Sequence, residues 1–186
     1  LCAAFTAQDT GDARMALDLL ETAGNIARHE GDDKVRGEHI RMARSQVDRA
    51  NTERIIEDRL TPQMRAVLIA TTLLDLDKGT DAKVKTIYSF YKDLCERLEK
   101  DTLSESRVRA HLDTLDMFGL LEREERNLGR KGGRSYIYSV VDEPRVVVET
   151  LAEMSNYDQL FGDDPDAFLS GYERESQSDI QTTLDL

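Results

Sequence analysis

TLSESRVRAHLDTLDMFGLLEREERNLGRKGGRSYIYSVV, residues 102–141, is the stretch that decides how the rest of the chain is read. Val108, Leu112 and Leu115 fall at i, i+4 and i+7, and Phe118 extends the same apolar side, the spacing of an amphipathic helix. Thr102 with Glu105 three residues later fits a capping box, with Ser104 as the alternative cap. Gly119 supplies the stop, because a residue without a Cβ takes the left-handed conformation that ends helices. The face opposite Val108 carries Ser106, Arg107, Arg109, Ala110, Asp113 and Met117. Leu120-Leu121 and Ser135–Val141 then read as two strands. Between them Arg126–Arg134 forms a loop with four basic residues, three glycines and no acid.

A helix, a strand, a basic turn and a second strand make the closing half of a winged helix-turn-helix: one helix shaped for a groove, and a loop beside it for the backbone. This nominates Ser106, Arg107, Arg109 and Ala110 on the helix as DNA contacts, together with Arg126, Gly129, Arg130, Lys131, Gly132, Gly133 and Arg134 in the wing. An arginine can meet guanine through two parallel hydrogen bonds, and glycines let a loop backbone come close to a groove. The plainer alternative is that these arginines only solvate a helix face and an exposed turn. The basic hairpin directly after the helix favours the DNA reading.

Charge at first argues the other way. Among 186 residues, 37 acids face 25 bases, a net charge of −12. Much of the excess lies beyond Glu143, where only Arg145 and Arg174 oppose a run of Asp and Glu, so a basic finger can still stand on an acidic body. Arg far outnumbers Lys and Asp is abundant, a bias that resembles proteins of salt-loving organisms. No apolar run approaches the roughly 18 residues of a membrane span, and no leader-like segment opens the chain. Cys2 and Cys95 make neither a disulfide framework nor a metal knuckle, which suggests a reducing, intracellular setting. His29, His39 and His111 show no ligand spacing, so no metal site is expected. The start at Leu1 without a Met reads as a fragment of something longer.

Taken in order, the segment Gly11–Leu20 opens a first helix on which Ala13, Leu17, Leu20, Gly24 and Ala27 form an apolar stripe. After Gly31-Asp-Asp33, residues 35–57 are charged with sparse apolar positions and read as one long helix or two short ones. Thr61-Pro62 marks a clean restart, with Thr as the cap and Pro in the first turn. The helix that follows is apolar on more than one side and is expected to be buried. A further helix runs from about Ala82 to Lys100, and its Tyr88, Phe90 and Tyr91 read as packing residues rather than a base-stacking platform. Pro144 permits a last helix to Met154. The fold class is therefore mainly α, in three parts. Residues 1–57 form a helical subdomain, residues 58–155 a winged helix with a small β-hairpin wing, and residues 156–186 an acidic, disordered tail.

Several segments in this order resemble the archaeal origin-recognition and cell-division-control type of replication initiator. The residues that carry the likeness are Gly11-Asp-Ala-Arg-Met-Ala-Leu-Asp-Leu-Leu20, Ile40–Ala43, Thr61-Pro-Gln63 with Val67-Leu-Ile-Ala70, Tyr88–Cys95, Leu112–Leu121 and Gly129–Arg134. The resemblance implies that residues 1–57 are the lid of an AAA+ ATPase module, with Arg14 as the arginine that senses nucleotide. An always-charged planar fork suits a terminal phosphate. It implies double-stranded origin DNA as a partner, with the replicative helicase as a further one, and ATP or ADP with magnesium in the full-length protein. This chain has no G-x-x-x-x-G-K-[ST] loop, so it is expected to bind no nucleotide and to catalyse nothing alone; the AAA+ core would lie upstream. Three other readings remain open on the residues alone: a winged-helix transcription regulator, the lid and winged helix of a branch-migration helicase, and a protein-interaction module that binds no DNA.

Overall fold

The computed structural model describes residues 13–77, 82–127, 134–141, 143–154, 157–162, 165 and 167–170. Along them run α1 (Ala13–His29), α2 (Gly37–Arg59), α3 (Pro62–Leu76), α4 (Val84–Arg97), α5 (Glu105–Met117), β1 (Leu121–Asn127), β2 (Arg134–Val140), α6 (Pro144–Ala152) and α7 (Asp158–Phe161). The chain divides into two units, Leu1–Asn51 and Thr52–Leu186. Sequence pattern places this boundary after residue 57; the division falls earlier, inside α2. Among the described residues no helix is long and apolar enough to cross a membrane.

In the first unit, Leu19 and Ala23 of α1 pack with Ala43 of α2, joined by the partly buried Ile26 and Ile40. The expected stripe on α1 is corrected here. Leu17 and Leu20 are 65% and 50% exposed, and the inward line is Leu19, Ala23 and Ala27 at i, i+4 and i+8. The sequence of α1 carries apolar residues on more than one side, so periodicity alone does not choose between them. Ala43 and Ile40 of α2 settle the choice, because the line of α1 that packs with them is the one that contains Leu19 and Ala23. Where the sequence left one helix or two open, the structure has one, Gly37–Arg59.

The second unit is assembled on α3. Thr61 has extended backbone, its hydroxyl accepts the Met64 N–H at 3.3 Å, and Pro62 fills the first turn, where a missing N–H costs nothing. Met64 and every residue from Ala66 to Leu74 are buried. A helix apolar all round must be surrounded. Accordingly α3 is packed by α4, α5, α6 and β2. The buried hydroxyls of Thr71 and Thr72 donate to the carbonyls of Val67 and Leu68, so the helix hides no unsatisfied polar group there.

From α5 the chain passes through Gly119, at φ 74, into β1. The Gly119 N–H bonds the Asp116 carbonyl and the Leu120 N–H bonds that of Leu115, a Schellman ending that requires the left-handed residue. β1 and β2 pair antiparallel, from Leu121 opposite Val140 to Asn127 opposite Arg134. The residue before α4, Lys83, adds a bridge to Ile137 on the other edge of β2.

The C-terminal expectation is corrected as well. Tyr157, Phe161 and Leu169 are buried in the core of this unit, and the Phe161 and Phe168 rings meet edge-on at 5.2 Å. The acidic segment cannot build a core of its own, but its aromatic and aliphatic anchors reach one already built. Residues 171–186 lie outside the described residues.

Candidate DNA interface

Three apolar residues fix which face of α5 looks outward. Val108, Leu112 and Leu115 are fully buried against α3 and α4. Ser106, Arg107, Arg109, Ala110, Asp113 and Met117 are all exposed, as the helical spacing requires. The start of the helix differs from the expected Thr102–Glu105 box. Ser104 holds the N-cap position and makes no side-chain cap bond. The reason lies upstream: the Asp101 carbonyl and the Leu103 N–H are taken by Gln63 and Tyr91, which brings the chain to the helix at Ser104.

The face is charged but not uniformly positive. Among the described residues neither Arg107 nor Arg109 has an ion-pair partner, so both guanidinium groups are available to a ligand. Burial, and then the charge of Arg107, push the His111 imidazole below its usual pKa, so it adds no cation near neutrality. Asp113 would repel a phosphate. It is met at 3.0 Å by Arg123 of β1, whose guanidinium also lies over the Tyr136 ring at 5.0 Å. Arg123 thus ties the hairpin to α5 and covers the one acid in the middle of the exposed face.

The wing differs in extent from the sequence reading. The strands reach Asn127 and start again at Arg134, so Arg126 and Arg134 belong to the ladder, not to a loop. Residues directly opposite share a face of the ribbon. One face therefore carries Arg123 and Glu125 opposite Tyr138 and Tyr136, and the other carries Glu122, Glu124 and Arg126 opposite Ser139, Ile137 and Ser135. Arg126 stands 3.8 Å from the Glu124 carboxylate. Glu122, Glu124 and Glu125 stand against Arg123, Arg126 and Arg134, so the ladder is balanced in charge, and the unopposed bases Arg130 and Lys131 fall between its strands in the sequence. The tip residues Gly129, Arg130, Lys131, Gly132 and Gly133 lie outside the described residues, as does the side chain of Arg134.

Sequence reading missed Arg123, Tyr136 and Tyr138 as the link between wing and helix. The alternation Ser135-Tyr-Ile-Tyr-Ser139 carries a signal that the two tyrosines share one face; nothing in it points to Asp113. Tyr91 is fully buried, and Tyr88 and Phe90 pack against the core, as their spacing suggests.

Arg14 lies near the start of α1 in the other unit, with its side chain outside the described residues. That unit also brings together Glu30, Asp32 and His39, whose ligand atoms lie within 4.8 Å of one another. The imidazole does not suit a cation. His39 Nδ1 accepts the Arg36 N–H at 3.0 Å, the return half of a capping box at the start of α2. The neutral ring therefore carries its proton on Nε2, the atom facing Glu30 at 3.0 Å and Asp32 at 3.2 Å, though off the line of a good hydrogen bond. Ligation through Nε2 would require the ring proton on Nδ1, which would break the bond from the Arg36 N–H.

A helix-turn-helix whose second helix runs straight into an antiparallel hairpin is a winged-helix module. The comparisons agree with this architecture and extend it. Residues 1–45 match the Cdc6 AAA+ ATPase-type lid domain and residues 56–150 the C-terminal winged helix domain of CDC6. The chain belongs to the Orc1/Cdc6 family. It is similar to ORC1-type DNA replication protein 8 of Haloarcula marismortui, with 38% identity over 160 residues, 86% of this chain and 36% of that protein. The ORC1-type DNA replication protein of Pyrococcus horikoshii is 39% identical over 132 residues, 71% of this chain and 31% of the relative. Among solved structures, the Orc1 protein of Aeropyrum pernix in complex with DNA aligns with a TM-score of 0.75 and 32% identity, covering 86% of this chain and 41% of that one. The chain spans about a third of the length of these curated relatives.

Proposed function

We propose that this chain is the nucleotide-sensing and DNA-binding portion of an ATP-dependent replication initiator, and that its second unit binds origin duplex through α5 and the wing. The observation that carries the reading is the exposed face of α5, with Arg107 and Arg109 unpaired among the described residues and the hairpin tied alongside by Arg123. Ser106, Arg107, Arg109 and Ala110 enter the major groove; Arg130 and Lys131 at the tip, with the glycines around them, meet the backbone or minor groove. The similar Orc1 protein of Aeropyrum pernix is in complex with DNA, which supports DNA as the partner. ATP and magnesium are held by an AAA+ core outside this chain, and Arg14 on the lid senses the terminal phosphate. A replicative helicase is a partner of the assembled initiator, and the setting is cytoplasmic, on the nucleoid.

The experiment is a comparison of specific and random duplex binding by Arg107→Ala and Arg109→Ala. A bidentate arginine–guanine contact is worth about 1–3 kcal/mol of discrimination, roughly five- to 150-fold. The variant that loses this contact is expected to relax preference at one base position while random binding falls much less. Equal losses on specific and random duplexes in both variants would show that α5 is not the reader.

A further inference from the structure

The segment leading from α4 to α5 contains a residue that is held against its preference. Glu99 has φ 52, the left-handed region, at the position glycine takes where α5 ends. Its N–H bonds the Glu96 carbonyl and the Lys100 N–H bonds that of Cys95, so α4 closes as a Schellman motif without a glycine. A side chain in that conformation is strained and persists only where surrounding contacts over-determine it.

Those contacts come from three separate elements. The hydroxyl of Tyr91, on α4, donates to Gln63 Oε1 and accepts the Leu103 N–H at 3.1 Å. Gln63, in the first turn of α3, donates its amide to the Asp101 carbonyl at 2.8 Å. Tyr157, from the C-terminal segment, accepts Lys100 Nζ at 3.3 Å, lies beneath that ammonium at 4.4 Å, and donates its hydroxyl to the Pro62 carbonyl at 2.9 Å. Residues 100, 101 and 103 are therefore each pinned just before α5 begins.

We propose that Tyr91, Gln63 and Tyr157 are positioning residues for base reading, which set where α5 starts, and that the C-terminal segment beyond the winged-helix match thereby becomes a working part of the DNA interface. The proposal rests on the reading role given to α5 above. Apolar burial of Val108, Leu112 and Leu115 holds the helix on the core but is non-directional, whereas hydrogen bonds fix distance and angle. A bidentate base contact tolerates little displacement, so the directional clamp at the helix start decides whether the arginines reach their targets. Tyr91 and Tyr157 are both fully buried and cannot touch DNA themselves. Any effect they have on discrimination is an effect of position.

The test uses Tyr91→Phe and Tyr157→Phe in the whole chain. Each removes one hydroxyl and keeps the ring. Gln63→Ala, which cuts the same clamp from its half-buried rim, serves if a tyrosine variant melts without a cooperative transition. Three quantities are measured: amide hydrogen exchange along α5, the affinity ratio between a duplex selected from a random pool by the wild-type chain and the pool itself, and the salt slope. Loss of one clamp bond is expected to speed exchange at Leu103 and the first turn of α5 by up to about tenfold and to lower the ratio about two- to tenfold. The salt slope should stay unchanged, because no cation is removed. Unaltered exchange at the helix start in these variants would overturn the clamp. Faster exchange with an unaltered ratio would overturn its role in reading. A wild-type chain that selects no duplex would end the proposed DNA reading and this role with it, while the exchange data would still show separately whether the clamp holds α5.

Discussion

Replacing Arg130 and Lys131 together by alanine is expected to weaken binding to every duplex and to flatten its dependence on salt. The magnitude follows from counterion release: log K falls by about 0.9 per unit of log salt for each phosphate neutralised. Four wing cations, Arg126, Arg130, Lys131 and Arg134, would lose on the order of 10⁴ in affinity between about 0.15 M and 2 M salt. The structure lowers that figure, because Arg126 sits in the β-ladder beside Glu124 at 3.8 Å, with Glu122 on the same face. Removing Arg130 and Lys131 then takes away up to about 1.8 units of slope, roughly a hundredfold difference across that salt range. Arg126→Ala should change the slope by well under one unit, since its charge is already answered. Glu124→Gln removes one acid beside Arg126, which keeps a further interaction, so it should steepen the slope by well under about 0.9. The assay is a fluorescence anisotropy titration of one duplex at a series of salt concentrations for all four proteins. A double-alanine slope equal to wild type would remove the wing tip from the interface. A flattening by Arg126→Ala as large as that of the double variant would refute the ladder argument.

Three further outcomes are expected. Thr61→Ala removes the hydroxyl that accepts the Met64 N–H and should cost about 1 kcal/mol in urea unfolding, since the cap starts the helix on which the second unit is built. Gly119→Ala should cost about 1–2 kcal/mol although a Cβ there meets nothing within 4 Å, because φ 74 strains an L residue; a neutral result would show that the turn readjusts freely. In the full-length protein Arg14→Ala should impair ATP turnover or the ATP-dependent change of state without lowering the melting temperature, and normal turnover with a normal nucleotide response would remove the sensing role.

The features legible in the sequence are those whose cause is local. Thr61-Pro62 starts a helix because a hydroxyl and a fixed φ act within one turn. Gly119 ends one because of its own backbone freedom, and Val108, Leu112 and Leu115 name the buried face of α5 because no large apolar residue competes on the other side except Met117. The exposed arginines follow from that by geometry. Where several local answers were equally good, the sequence could not choose. On α1, Leu17 and Leu20 are as apolar as Leu19, and only the approach of Ala43 and Ile40 from α2 decides which line turns inward. Likewise the acidic run after Glu143 advertises its charge, while Tyr157, Phe161 and Leu169 acquire meaning only once there is a core for them to enter. The electrostatics of the wing depended on how far β1 extends, which puts Arg126 on the same face as Glu124, and on the packing of the hairpin against α5, which sets Arg123 against Asp113. The clamp ahead of α5 joins residues as far apart as Pro62 and Tyr157, by hydrogen bonds whose partners carry no mark in the sequence and meet only after the chain has folded.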